Sequence, residues 1–177
     1  MKAKFLEVVD DTRWIANIVL VSKKNGRVRM CMDYRNLNKA CLKDDFSLLH
    51  IDTLVDSVAS SAIYSFMDGF SGYNHIMMVV IDKLKTSFTT EWGVYCYLVI
   101  PFGLKNARAT YQRMATTLLH DMIHKEVEVY VDDMMVKSPT REGHFTALDK
   151  FLARAEKYNL ILNPKKCVFG LTSEKLP

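Results

Sequence analysis

The stretch Val127-Glu128-Val129-Tyr130-Val131-Asp132-Asp133-Met134-Met135-Val136 decides the fold. It is an apolar run broken only by Glu128 near its start and by two adjacent aspartates, and it reads as a buried hairpin with an acidic turn. Upstream of it, residues 106–125 carry helical spacing, with Ala109, Met114, Leu118, Met122 and Ile123 on one side and Asn106 as the N-cap. Downstream, a second helix is expected from about Arg141 to Tyr158, on Phe145, Leu148, Phe151, Leu152 and Ala155, followed by Leu160-Ile161-Leu162 as a last short strand. Further back, Ile63-Tyr64-Ser65-Phe66-Met67 reads as a strand that runs into Asp68-Gly69. With residues 75–105 set aside as an insertion, the order is strand, helix, strand, strand, helix, strand. That is the split β-α-β arrangement of ferredoxin-like folds, in the α+β class.

The rest of the chain supplies hairpins. Ile15 to Lys24 and Arg27 to Asp33 flank Asn25-Gly26, a strong short-range turn signal between apolar runs. Within the insertion, Phe88 and then Tyr95, Tyr97 and Val99 alternate around Glu91-Trp92-Gly93, which predicts a second hairpin over residues 86–99. Ile51, Leu54, Val55 and Val58 have helical spacing. Composition fits one folded unit: 177 residues, 49% of them apolar, and 24 basic against 20 acidic side chains, a net charge of +4. No stretch reaches the roughly 18 apolar residues of a membrane span, and the N-terminus turns acidic before a signal core can form. The sequence therefore predicts no membrane partner and a cytoplasmic or nuclear setting. Cys31, Cys41, Cys96 and Cys167 are too scattered for a metal pair and read as reduced thiols. A pI near 8.8 permits a nucleic-acid partner without requiring one.

The strand order carries the chemistry. Right-handed crossovers make the strand ending at Asp68 and the strand ending before Asp132-Asp133 run parallel, so their carboxyl ends coincide. Residues 64 apart in sequence are thereby expected at one sheet edge. Carboxylates crowded there raise one another's pKa unless a cation sits among them. Hard oxygen ligands suit Mg²⁺, and two such ions would stabilise the attacking and leaving oxygens of a nucleotidyl transfer. An Asp-Asp pair is also what a solvated turn looks like, because Asp bonds its own backbone there. The expected convergence of all three carboxylates favours the metal site. His120 and His124, four apart, have a spacing that suits a metal on a helix and equally a solvated or half-buried pair.

Four blocks of residues carry a family resemblance. Tyr130-Val131-Asp132-Asp133 resembles the YxDD motif of reverse transcriptases, and Phe66-Met67-Asp68-Gly69-Phe70-Ser71-Gly72-Tyr73 is similar to the segment bearing their first catalytic aspartate. Arg29 to Lys39 (RMCMDYRNLNK) and Pro101 to Ala107 (PFGLKNA) are similar to the corresponding blocks of gypsy-type LTR retrotransposons, plant ones in particular. The resemblance implies a polymerase right hand, with fingers over about 1–62 and 75–105, a palm over about 63–74 and 106–177, and the thumb absent. It implies an RNA-directed DNA polymerase domain in which Asp68, Asp132 and Asp133 are catalytic and hold two Mg²⁺ ions, or Mn²⁺, with the Gly69 carbonyl as an extra ligand. By the same resemblance Lys23 and Arg29 meet the triphosphate of the incoming deoxynucleotide, Tyr73 excludes a 2′-hydroxyl, Phe102 and Lys105 lie at the nucleotide, and Tyr130 and Val131 lie at the primer terminus. The implied partners are an RNA or DNA template with its primer, and deoxynucleotide triphosphates. RNase H, protease and integrase domains are implied in the parent polyprotein, and a virus-like particle in the cytoplasm as the setting.

Some positions depart from that pattern. Leu42, Ser47 and Leu49 stand where relatives commonly have proline, His50 where they have Arg, His75 where they have Gln, and Arg108 where they have a small or rigid residue. Several of these replacements are single C-to-T changes on one DNA strand or the other, which suggests the hypothesis of a decaying genomic copy. An excess of such changes over others in the gene is required for it to stand. The alternative function is then an inactive transposon-derived remnant that folds but does not catalyse, with at most weak nucleic-acid binding. A ferredoxin-like RNA-binding module is disfavoured, because Tyr64, Phe66 and Tyr130 look buried rather than free to stack bases.

Overall fold

The computed structural model describes residues 5–10, 12–22, 26, 28–46, 61–69, 72–131 and 133–172. The helix expected at 51–59, the hairpin tip at Lys23 to Asn25, and Asp132 lie outside the described residues. In chain order the elements are β1 (Leu6–Val8), β2 (Asn17–Ser22), β3 (Val28–Asp33), α1 (Arg35–Ala40), β4 (Ile63–Asp68), α2 (Val80–Lys83), β5 (Phe88–Thr90), β6 (Gly93–Tyr97), α3 (Ala107–Leu118), β7 (Val127–Tyr130), β8 (Asp133–Ser138), α4 (Arg141–Lys157) and β9 (Val168–Thr172). The chain divides into two compact units, Met1–Asp44 with Tyr73–Arg108, and Asp45–Gly72 with Ala109–Pro177.

In the first unit the two expected hairpins form. β2 pairs antiparallel with β3, Ser22 opposite Val28, and Gly26 holds φ 76, a left-handed value that glycine adopts without a Cβ penalty. β5 pairs with β6, Thr90 opposite Gly93, and β1 adds to the other edge of β6. Met32, Tyr34, Leu37 and Phe88 form the buried cluster, with Tyr95, Tyr97 and Leu104 packed against it. The buried Tyr34 hydroxyl donates to the Thr86 carbonyl at 3.1 Å, so its polar end is satisfied, and burial raises its pKa well beyond the usual tyrosine range.

The second unit is built on a four-stranded sheet of order β7-β8-β4-β9, with β8 antiparallel to both β7 and β4. β4 and β7 therefore run in the same direction, as the crossover argument requires. Alternation assigns the faces. Ser65 and Met67 sit opposite Val136 and Met134, which sit opposite Val127 and Val129, and all are buried. His144 of α4 reaches Ser65 at 2.8 Å, so this is the helix-covered face. Asp68, Phe66 and Tyr64 of β4 and Asp133, Met135 and Lys137 of β8 occupy the other face, in mutual register.

Three local expectations are corrected. Leu160-Ile161-Leu162 is not a strand: Leu162 makes a single bridge to Gly69, and the strand beside β4 is Val168–Thr172. The intervening Asn163-Pro164-Lys165-Lys166 segment turns, with Lys166 N–H donating to the Asn163 carbonyl at 3.0 Å, and it delays pairing by several residues. Helix α3 ends at Leu118 rather than near Lys125, and a run of turns that includes His124 at φ 64 follows it. His120 and His124 accordingly do not share a helix face. Finally, the buried stripe of α3 is Ala107, Tyr111 and Ala115, continued by Leu119, and that of α4 is His144, Ala147, Phe151 and Ala155. Of the expected faces Ala109, Met122, Phe151 and Ala155 are buried, whereas Met114, Leu118, Ile123 and Leu148 are only half-buried and Phe145 and Leu152 are exposed, so the stripes keep the helical period but are turned in part. Alanines at Ala107, Ala115, Ala147 and Ala155 alternate with the large buried rings of Tyr111 and Phe151 along the two stripes, and Phe145 falls on the flank.

Candidate active site

The described part of the acidic corner is a cross-strand pair. Asp68 ends β4 and Asp133 begins β8, and they stand directly opposite each other. Tyr130, the last residue of β7, is opposite Asp133 on its other side. Directly opposed residues have Cβ atoms about 4.5–5.5 Å apart, so two carboxylates here share one small volume. The Asp133 carboxyl is raised above the ordinary carboxylate range, first by desolvation and second by the Asp68 charge, with Lys166 pulling it down. Lys166 Nζ donates to Asp68 Oδ2 at 2.8 Å. The Asp68 carbonyl accepts the Asn163 N–H at 2.8 Å, and Gly69 is bridged to Leu162, so the end of β4 is pinned from the β9 side. Among the described residues no three His, Cys, Asp or Glu side chains converge. Asp68 and Asp133 do meet, and Asp132 is their neighbour in sequence.

Two opposed carboxylates facing an ammonium are a hard-oxygen donor set already holding a cation. This fits a magnesium or manganese ion and does not fit a soft metal. The hairpin that carries the corner is held from below. Gln112 of α3, 2% exposed, donates through Nε2 to the Val129 carbonyl at 3.0 Å and accepts the Val131 N–H through Oε1 at 2.8 Å. On the opposite side of the same strand, Glu128 and Lys137 form a buried ion pair at 2.8 Å, and His124 Nδ1 lies 3.1 Å from the second Glu128 oxygen.

The first unit holds a separate cavity of about 220 Å³ whose lining includes Arg29, Cys31, Asn74, Tyr97, Phe102 and Gly103. The Arg29 guanidinium lies over the Phe102 ring, 4.9 Å from its centroid, and the Tyr73 ring meets Phe102 edge-on at 4.9 Å. Asn38 anchors the loop that carries Phe102, donating to the Gly103 carbonyl at 2.7 Å and accepting the Lys105 N–H at 2.8 Å. Three of the nucleotide-site residues named from the sequence, Arg29, Tyr73 and Phe102, are thus in contact. Lys105 is not among the lining residues. Its Nζ donates to the Cys41 carbonyl at 2.8 Å, tying the same loop to the end of α1. Lys23 lies outside the described residues.

Sequence reading missed Gln112, Lys166 and the Arg29-Phe102 stack. Lys165-Lys166 is an exposed basic pair like many others, and a glutamine on a helix carries no pattern. Only the packing shows what each one touches.

Comparison with known proteins places the chain. A family model described as reverse transcriptase (RNA-dependent DNA polymerase) matches residues 21–176. The chain is 36% identical over 149 residues to the Retrovirus-related Pol polyprotein from transposon opus of Drosophila melanogaster, a match covering 83% of this chain and 15% of that protein. It is 32% identical over 158 residues to the Transposon Tf2-3 polyprotein of Schizosaccharomyces pombe, covering 89% of this chain and 12% of that one. The chain therefore spans only a small part of the length of these relatives. Among solved structures, prototype foamy virus protease-reverse transcriptase superposes with a TM-score of 0.85 at 23% identity, over 95% of this chain and 22% of that one. The foamy viral protease-reverse transcriptase in complex with RNA/DNA hybrid gives 0.84 at 22% identity, over 96% and 25%. At such identity the likeness establishes the fold, a polymerase palm and fingers of mixed helix and sheet. A corner of paired aspartates on a ferredoxin-like sheet, a family match over nearly all of the sequence and transposon polyproteins at more than 30% identity agree: this chain is a member of the reverse transcriptase family.

Proposed function

We propose that this domain catalyses RNA-directed DNA synthesis by two-metal nucleotidyl transfer, as part of the polyprotein of a gypsy-type LTR retrotransposon. The observation that carries the reading is the direct opposition of Asp68 and Asp133 at the end of the palm strands, beside Asp132 in the sequence. Asp68, Asp132 and Asp133 would hold the divalent cations, with the Gly69 carbonyl as an added ligand. Such ions, when bound, polarise the primer hydroxyl and screen the charge that develops on the transferred phosphoryl group.

The chain's own residues supply position and neutralisation. Lys166 balances Asp68, so the corner is tolerable to the fold without metal. The Arg29 guanidinium, held over the Phe102 ring, would offer N–H donors to phosphate oxygens of an incoming deoxynucleotide. The Tyr73 ring, steadied edge-on by Phe102, is suited to lie under the sugar and reject a 2′-hydroxyl. Lys23 would add a second phosphate charge. Tyr130 and Val131, at the head of the catalytic hairpin, would meet the primer terminus. Template and primer would be held through backbone and sugar contacts, because a copying enzyme must accept every sequence. Deoxynucleotide triphosphates are its substrates, and RNase H, protease and integrase its companions in the polyprotein.

The test is single-nucleotide extension of a DNA primer on an RNA template by the purified chain with Mg²⁺ or Mn²⁺. Addition of the complementary deoxynucleotide, abolished by D133N, is expected. Addition that D133N leaves intact would overturn the site, and metal binding without any addition would make the chain a folded remnant.

A further inference from the structure

Among the described residues β7 is the outer strand of its sheet, and beyond the single bridge of Val127 to Ile123 its outer row of backbone groups meets no further strand. Gln112 fills two of those places. Its side-chain amide donates to the Val129 carbonyl at 3.0 Å and accepts the Val131 N–H at 2.8 Å, spanning Tyr130 as a neighbouring strand would. The residue is 2% exposed and sits on α3 next to the buried Tyr111, so its amide is removed from solvent. Val131 needs such a hold. It stands at φ 54, a left-handed conformation that a β-branched side chain rarely adopts, and it immediately precedes the aspartate doublet. Strain of this kind persists only where the surroundings over-determine it.

We propose that Gln112 is the positioning residue of the acidic corner: its buried side-chain amide brackets Tyr130 and keeps Val131 left-handed, so that Asp133 comes to stand opposite Asp68. The inference rests on the metal-binding reading above and adds to it the residue that sets the geometry. Gln112 touches no substrate. It acts through the backbone, and both halves of its amide are required, one as donor and one as acceptor. A methionine of equal length fills the same space and makes neither bond.

The experiment compares the full chain with Q112M, V131G and the double variant, using Mn²⁺ alone as the probe, read by the paramagnetic resonance of the free ion. Glycine holds a positive φ without strain, so V131G removes the need for the hold. Q112M is expected to weaken Mn²⁺ about tenfold in the wild-type background, and less than about threefold in the V131G background. Equal losses in both backgrounds, or no loss in either, would overturn the proposal. Hydrogen exchange of the Val131 amide in metal-free protein gives the second measurement: strong protection in the wild type, lost in Q112M. Unchanged protection overturns the proposal whatever the metal does. If D68N/D133N binds Mn²⁺ as the wild type does, the metal-binding reading fails instead, and the amide exchange alone decides the role of Gln112. Should Q112M not fold, Q112E, which keeps the acceptor for Val131 and loses the donor to Val129, carries the same comparisons with an intermediate loss expected.

Discussion

Replacing Asp133 with asparagine is expected to make the metal-free protein more stable and the metal-loaded protein less so. Asp133 and Asp68 are directly opposed across two strands. Unit charges about 5 Å apart repel by about 0.8 kcal/mol in a water-like dielectric and about 3 kcal/mol at an effective dielectric of about 20. Asp133 is exposed, which favours the lower figure, and the Lys166 ammonium on Asp68 offsets part of it. The net gain on neutralising Asp133 is therefore about 0.5 kcal/mol, within the range for cross-strand pairs. A ligand that binds only the native state at a hundred times its dissociation constant adds about 2.7 kcal/mol, and D133N should lose that addition. Urea denaturation at pH 8, with chelator and with saturating Mn²⁺, reads both quantities, and the two stability orders should cross.

The pH dependence has a definite sign. The folded Asp133 carboxyl is raised, so its ionisation costs native stability above that raised value and nothing below the unfolded one. The advantage of D133N is therefore full at pH 7–8 and vanishes as acid protonates the wild-type residue. A variant less stable than the wild type in chelator at pH 8, or one that Mn²⁺ stabilises equally, would refute the argument that this corner is a strained cation site.

Two further outcomes concern the frame beneath the site. Glu128 and Lys137 side chains are 3% and 8% exposed, so K137M strands a buried carboxylate and should cost about 3–5 kcal/mol, towards the lower end because His124 stays within 3.1 Å. E128Q/K137M should cost less than K137M alone in urea denaturation, and a double variant as unstable as the single would show that the pair is not a coupled charge. His144 is buried, its Nδ1 has no hydrogen-bond partner among the described residues, and burial lowers its pKa. The unfolded histidine binds its proton first, so stability should be intact above about pH 6.5 and decline as pH falls below it. H144Q should flatten that decline between pH 7 and 5, and an unchanged slope would remove His144 as its source.

How much of this was legible from residues alone differs by element. Both N-terminal hairpins, the acidic hairpin and the two long helices follow from local patterns: Asn25-Gly26, alternation along Val127 to Val136, and apolar spacing in 106–125 and 141–158. The meeting of Asp68 with Asp133 was also legible, because strand order and crossover handedness suffice to bring two chain ends to one sheet edge. The last strand was not. Leu160-Ile161-Leu162 is as apolar as any strand, and only the turn at Asn163 to Lys166 moves the pairing on to Val168.

Sequence by itself therefore determined the order of the palm elements and the corner where Asp68 meets Asp133, since these depend on period, turn chemistry and handedness, while the family was carried by the resemblance of its four motif blocks. Tertiary structure alone decided which faces of the helices are buried, that Gln112 reaches the backbone on either side of Tyr130, that Lys166 neutralises Asp68, and that Arg29 stacks on Phe102. These contacts join residues 17 to 98 positions apart. Their existence turns on the rotation of a helix or the height of a loop, and close packing across the whole unit sets those quantities.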